Sequence, residues 1–159
     1  MENQSHEEVR IEDYQPRYGE AFRRLNEEWI ATYFELEDAD RKSLEHPQEY
    51  IIDLGGFIFV ATLKGEPVGV CALIKRDDLS AYELAKMAVS SKAKGKGIGY
   101  LLGQAVVDKA RTLGANRVYL ESNTQLVPAI RLYKRLGFNK IEGLPSPYNR
   151  CDIQMELIL

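Results

Sequence analysis

The sequence predicts an α/β fold, and three observations carry that reading. Residues 82–89, Tyr-Glu-Leu-Ala-Lys-Met-Ala-Val, form a largely apolar run that reads as a buried strand. A turn of glycine and lysine follows, Lys92-Ala93-Lys94-Gly95-Lys96-Gly97-Ile98-Gly99. Beyond it Ile98, Leu101, Leu102, Ala105, Val106 and Ala110 recur at helical spacing, with Gln104, Asp108, Lys109 and Arg111 on the other side. The same strand-then-helix order returns at residues 117–138. Upstream, two apolar runs flank Lys64-Gly65-Glu66 as an antiparallel hairpin.

Element by element, Val9-Arg10-Ile11 opens a short strand. Residues 14–32 carry Tyr18, Phe22, Leu25, Trp29 and Ile30 on an amphipathic helix, and residues 40–52 form a second helical stretch interrupted near Pro47. Gly55-Gly56 breaks the chain before the hairpin strands at residues 57–61 and 68–74. The strand at residues 82–90 and the helix from Gly97 come next. Arg117-Val118-Tyr119-Leu120-Glu121 alternates like a strand. In the following helix Pro128 suits the first turn and Gly137 the left-handed residue past the end, so Phe138 folds back on the last turn. Strands at residues 138–142 and 151–158 close the chain, with Pro145 and Pro147 in the loop between them.

Composition narrows the function. The 159 residues suit one domain spanning 1–159, with 1–8 expected to be flexible. A net charge of −3 argues against a general nucleic-acid or anionic-membrane surface. The cations gather at the glycine turn and at Arg131, Lys134 and Arg135, a pattern suited to a small polyanion. Cys71 and Cys151 read as buried free thiols in strand-like runs, and His6 and His46 stand alone, so no metal site is expected. Residues 1–10 lack an apolar targeting core and no run is long enough to span a bilayer, which makes the cytoplasm the expected compartment.

The turn between strand and helix offers free backbone N–H groups at the positive end of a helix dipole, a site for phosphate or pyrophosphate. Missing side chains at Gly95, Gly97 and Gly99 admit the ligand to the backbone, and Lys92, Lys94 and Lys96 add positive charge. A P-loop would need Lys-Ser or Lys-Thr, but Gly97 follows Lys96. A dinucleotide fingerprint would need G-x-G-x-x-G, but the glycines fall at G-x-G-x-G.

What the segment resembles is the acetyl-CoA pyrophosphate loop of the GNAT superfamily of N-acetyltransferases, with Lys92 in the Gln/Arg place and Gly95 and Gly97 at the two small positions. Ala129-Ile130-Arg131-Leu132-Tyr133-Lys134-Arg135-Leu136-Gly137-Phe138 resembles a second signature of that family, though Leu126 stands where many relatives carry Asn. The resemblance implies a mixed, mostly antiparallel sheet with helices on both faces and a splayed parallel strand pair that holds acetyl-CoA. It implies that Met87, Ala88 and Val89 meet the pantetheine amides, with an N–H near Met87 polarising the thioester carbonyl. Lys94, Gly95, Lys96, Gly97, Ile98, Gly99 and Tyr100 would hold the pyrophosphate, and Asn123 would take the pantetheine contact left by Leu126.

An attacking alkylamine, with a pKa of about 10, must lose its proton, and the CoA thiolate must gain one. Tyr133 is the family's candidate acid, with the positive end of its helix expected close by; otherwise it is a packed aromatic. Glu83 stands where some relatives carry a general base. Strict alternation would put it on the side of the Met87 side chain, and a salt bridge to Lys86 or a neighbouring strand is the other reading. Glu28, Tyr33, Glu35, Glu37 and Tyr148 are available to shape an acceptor site. The expectation is therefore an N-acetyltransferase that passes acetyl from acetyl-CoA to a primary amine on a small molecule or peptide, in a ternary complex. A non-catalytic acyl-CoA sensor or regulatory module, and a nucleotide-binding protein without acetyl chemistry, are the alternatives. Homodimers are frequent in the family, so a homodimer is also admitted.

Overall fold

A computed structural model describes residues 8–142 and 146–159; His6, Pro145 and the expected flexible segment, Glu8 apart, lie outside the described residues. Seven strands form one sheet: β1 (Val9–Asp13), β2 (Phe57–Leu63), β3 (Glu66–Arg76), β4 (Ala81–Val89), β5 (Arg117–Ser122), β6 (Asn139–Ile141) and β7 (Ile153–Ile158), in the order β1-β2-β3-β4-β5-β7-β6. Neighbours are antiparallel except β4 and β5, which run parallel. Helices α1 (Gly19–Tyr33) and α2 (Asp38–Glu45) cover one face, and α3 (Ile98–Thr112) and α4 (Val127–Leu136) the other. The order and fold class are those expected. No helix among the described residues is long and apolar enough to cross a membrane.

Strand alternation divides the interior into two cores. From β2 and β3, Ile58, Val60, Val70 and Ala72 meet Phe22, Leu25 and Ile30 of α1 and Leu44 of α2. Phe59, Ala61, Cys71 and Leu73 point the other way, to Ile98, Leu102, Val106 and Ala110 of α3. Close helix packing explains two glycines of α3. A Cβ on Gly103 would lie 2.5 Å from Leu136 Cδ1 and one on Gly99 3.1 Å from Leu132 Cδ2, both on α4. Gly99 is therefore small so that α4 can approach, which corrects its expected place among the ligand-admitting glycines. At the end of α4, Gly137 takes φ +106° and the Phe138 N–H donates to the Tyr133 carbonyl at 3.0 Å, the expected fold-back.

Two irregularities position the site. First, β4 and β5 pair only at Tyr82 with Val118 and Glu83 with Tyr119, then diverge as β4 runs on to Val89. Second, β4 bulges. Ala72 of β3 faces Ala85 and Val70 faces Ala88, so Cys71 opposes both Lys86 and Met87, and Lys86 adopts φ +55°. Tyr82 and Leu84 pack into the α3–α4 core, which sends Glu83 to the α1–α2 face; beyond the bulge Met87 packs into the α3–α4 core. Strict alternation fails here, and Glu83 and the Met87 side chain lie on opposite faces, contrary to expectation.

Candidate active site

The divergence of β4 from β5 opens a cavity of about 310 Å³ between the two faces of the sheet. Met87 and Tyr133 line it from the α3–α4 side, and Trp29, Ile30 and Phe34 from the α1 side. Successive residues of an extended strand aim their N–H and C=O groups at opposite edges. Part of the backbone of residues 84–89 therefore faces an edge that β5 has left, where an extended amide chain can pair as a strand would.

That edge leads into the glycine–lysine turn. Gly95 and Gly97 have φ +82° and +73°, a region glycine adopts without steric penalty, and a Cβ at either would meet nothing within 4 Å. Gly97 caps α3, and the first α3 amide to bond within the helix is that of Leu101, on the Gly97 carbonyl. The amides of Ile98, Gly99 and Tyr100 thus precede the helical ladder at the positive end of the dipole, a cradle that fits a pyrophosphate. Ile98 itself is buried in the core and offers only its backbone. Lys92, Lys94 and Lys96 are exposed around the turn, and the Arg135 guanidinium lies 4.5 Å from the Tyr100 ring.

Tyr133 is buried, with its ring edge-on to Phe138 at 6.2 Å, and burial raises its hydroxyl well above the ordinary tyrosine range. It stays protonated, as a proton donor must. It sits in the last turn of α4, so the positive end of that helix is remote from it, which corrects the expected helix-dipole proximity. Asn123 lines the cavity but is engaged by its own loop. Its Nδ2 donates to the Arg150 carbonyl at 2.7 Å, and its Oδ1 accepts from the Gln125 N–H at 2.8 Å.

On the α1–α2 face, Glu83 is buried and its Oε1 accepts from Arg76 Nη1 at 2.6 Å, so the expected salt bridge to a neighbouring strand is present. Burial nevertheless pushes the Glu83 carboxyl up to about 7; Arg76 opposes the rise and the Glu121 carboxylate adds to it. Lys86 does not pair with Glu83. Its ammonium reaches Asp40 Oδ1 at 3.1 Å and Tyr148 Oη at 2.7 Å, while Arg150 grips both Asp40 oxygens at 2.7 and 2.8 Å. This buried cluster ties α2 to the β4 bulge and to the loop before β7.

Of the residues expected to shape the acceptor site, Tyr148 lines the cavity; Tyr33 is exposed, and Glu37 instead bonds the Asn149 amide and Arg150. The cavity takes the inner face of α1, not the exposed carboxylates of Glu28 on that helix and Glu35 beyond its end. Cys71 is buried as expected, with its thiol pushed up by burial. Cys151 differs: it is half-buried on the cavity wall, ahead of β7.

A model described as the acetyltransferase (GNAT) family matches residues 19–138. The chain belongs to the GNAT family of acetyltransferases. Acetyl-CoA is the cosubstrate of that family. Among sequence relatives, N-acetylaspartate synthetase of Danio rerio is 35% identical over 92 residues, covering 58% of this chain and 33% of that protein. An uncharacterised N-acetyltransferase of Escherichia coli is 30% identical over 106 residues, 65% of this chain and 64% of that one. The match thus spans about a third of that synthetase. A GNAT acetyltransferase from Staphylococcus aureus superposes with a TM-score of 0.84 at 20% identity, covering 94% of this chain and 98% of that one. A Bacillus subtilis acetyltransferase in complex with CoA gives 0.71 at 20% identity, covering 96% and 99%. These structural likenesses bear on the fold.

Proposed function

We propose that this acetyltransferase passes the acetyl group of acetyl-CoA to a primary amine by direct attack within a ternary complex at the β4–β5 opening. The observation that carries the reading is the cavity joining the two faces of the sheet. Its α3–α4 side has a strand edge, which leads on along the chain to the Gly97 cradle, and the neutral Tyr133 hydroxyl for the thioester, and its α1–α2 side has carboxylates for an amine. In this reading the Met87 amide, set by the bulge, donates to the thioester oxygen as negative charge develops there. The amine attacks the acetyl carbon as its proton passes to Glu83, directly or through water, and the C–S bond breaks. The departing sulfur takes the Tyr133 proton.

The experiment is a panel of primary amines assayed for CoA thiol release with wild type and Tyr133→Phe. The substitution keeps the ring on Phe138 and removes the donor, so kcat should fall by about 10²-fold or more while CoA affinity holds. Unchanged turnover removes Tyr133 from the mechanism. Tight CoA binding with no acetylated product from any amine favours a non-catalytic acyl-CoA sensor.

A further inference from the structure

Glu121 is a cavity carboxylate that pairs with no cation among the described residues. On β5, Val118 and Leu120 pack into the α3–α4 core, so Tyr119 and Glu121 face the α1–α2 side with Glu83. Its Oε2 accepts from the Tyr119 hydroxyl at 2.7 Å and its Oε1 from the Ser146 hydroxyl at 2.6 Å, both neutral donors. Among the described residues no lysine or arginine lies within 4.0 Å of it. The cations that share the cavity are already matched: Arg76 by Glu83 and Asp78, Lys86 by Asp40, and Arg150 by Asp40 and Glu37.

Two hydroxyl donors fix the carboxylate's orientation and leave a lone pair on each oxygen for a further donor. Trp29 and Phe34 add aromatic walls to the same cavity, and aromatic faces attract cations. We propose that Glu121 is the specificity-determining residue for the acceptor: it receives the acceptor's amine as an ammonium ion, so the enzyme selects amines with an apolar or aromatic body over acidic acceptors. This rests on the reading that the cavity takes the acceptor amine. An acidic acceptor such as aspartate would bring its carboxylates against Glu121, and Arg76, Lys86 and Arg150, each already bonded to a carboxylate of the chain, would attract it less than unpaired cations would.

The test uses Trp29, the chain's single tryptophan, as a fluorescence reporter of its own cavity. With CoA saturating, 2-phenylethylammonium, the near-isosteric neutral 2-phenylethanol and L-aspartate are titrated separately. Wild type should bind the ammonium about tenfold or more tighter than the alcohol, and aspartate weakest. Glu121→Gln, which retains size and hydrogen bonding to the two hydroxyls, should abolish the preference and leave the alcohol and CoA affinities unchanged. No preference in wild type, a preference that survives in Glu121→Gln, or tighter binding of aspartate overturns the assignment. The wild-type comparison stands even if the variant folds poorly. Failure of wild type to bind CoA overturns the site reading itself, whereas intact CoA binding without ammonium preference overturns Glu121 alone.

Discussion

Asp40→Ala should be among the most damaging single changes away from the reacting atoms. The Asp40 side chain is fully buried, and its two oxygens receive Arg150 at 2.7 and 2.8 Å, Lys86 at 3.1 Å and the Glu37 N–H at 2.9 Å. Lys86 is itself only 7% exposed. Removing the carboxylate leaves the buried Lys86 ammonium without its carboxylate and Arg150 with Glu37 alone at 3.4 Å, a loss of about 3–5 kcal/mol, with about 1 kcal/mol more from the broken capping box of α2. At roughly 2–4 °C per kcal/mol for a chain of this size, thermal unfolding followed by circular dichroism should drop by roughly 10–20 °C. Arg150→Met in the Asp40→Ala background should recover part of the loss, because it removes one stranded charge. Burial alone would raise the Asp40 pKa, but the Arg150 hydrogen bonds, the Lys86 charge and the Glu37 amide together hold it below the usual carboxylate range. The cluster's contribution is thus complete above the unfolded value of about 4 and is lost as pH falls through the lower folded value, so wild type and variant should converge in acid. A drop under about 3 °C at pH 7, or a difference that does not shrink below about pH 4, would refute the reasoning.

With Glu83 raised to about 7 by burial, kcat/KM should climb with pH through an inflection near 7, and Glu83→Gln should lose that inflection along with most of the rate. The sign for stability is opposite to that of Asp40. A carboxyl whose folded pKa lies above its unfolded value contributes most in acid and progressively less as pH rises towards 7, a trend Glu83→Gln should flatten in urea titrations. Lys94→Glu with Lys96→Glu should weaken CoA binding roughly tenfold or more at low ionic strength and less at high salt, measured by calorimetry; an unchanged dissociation constant places the pyrophosphate elsewhere.

The fold was legible because its signals are local. The continuous apolar run in residues 57–61, helical spacing from Ile98 to Ala110, and Pro128 and Gly137 at the ends of one helix each follow from a few neighbouring residues. The site was legible where it is backbone: a positive-φ glycine ahead of a helix needs no distant partner. It was illegible where it depends on pairs far apart in the chain. Arg150 meets Asp40 across a separation of 110 residues, and nothing near either residue announces the other. The Lys86 bulge was hidden for a related reason. A lysine at φ +55° inside an apolar strand leaves no local mark, and a buried ammonium bound by Asp40 and Tyr148 accompanies it. The α1 wall of the cavity could have been read more closely: Trp29 and Ile30 lie on the apolar stripe of α1, and only that stripe can face a cavity against the sheet.

The central claim, that the opening between β4 and β5 with the Gly97 cradle holds acetyl-CoA, is tested most directly by thermal unfolding with acetyl-CoA, CoA, ATP and NAD in parallel. At a concentration about 100 times the dissociation constant, a ligand specific to the folded state adds about 2.7 kcal/mol, or roughly 5–10 °C here. Acetyl-CoA and CoA should produce that rise, and ATP or NAD little of it. No shift with CoA, or a larger one with ATP or NAD, would contradict it.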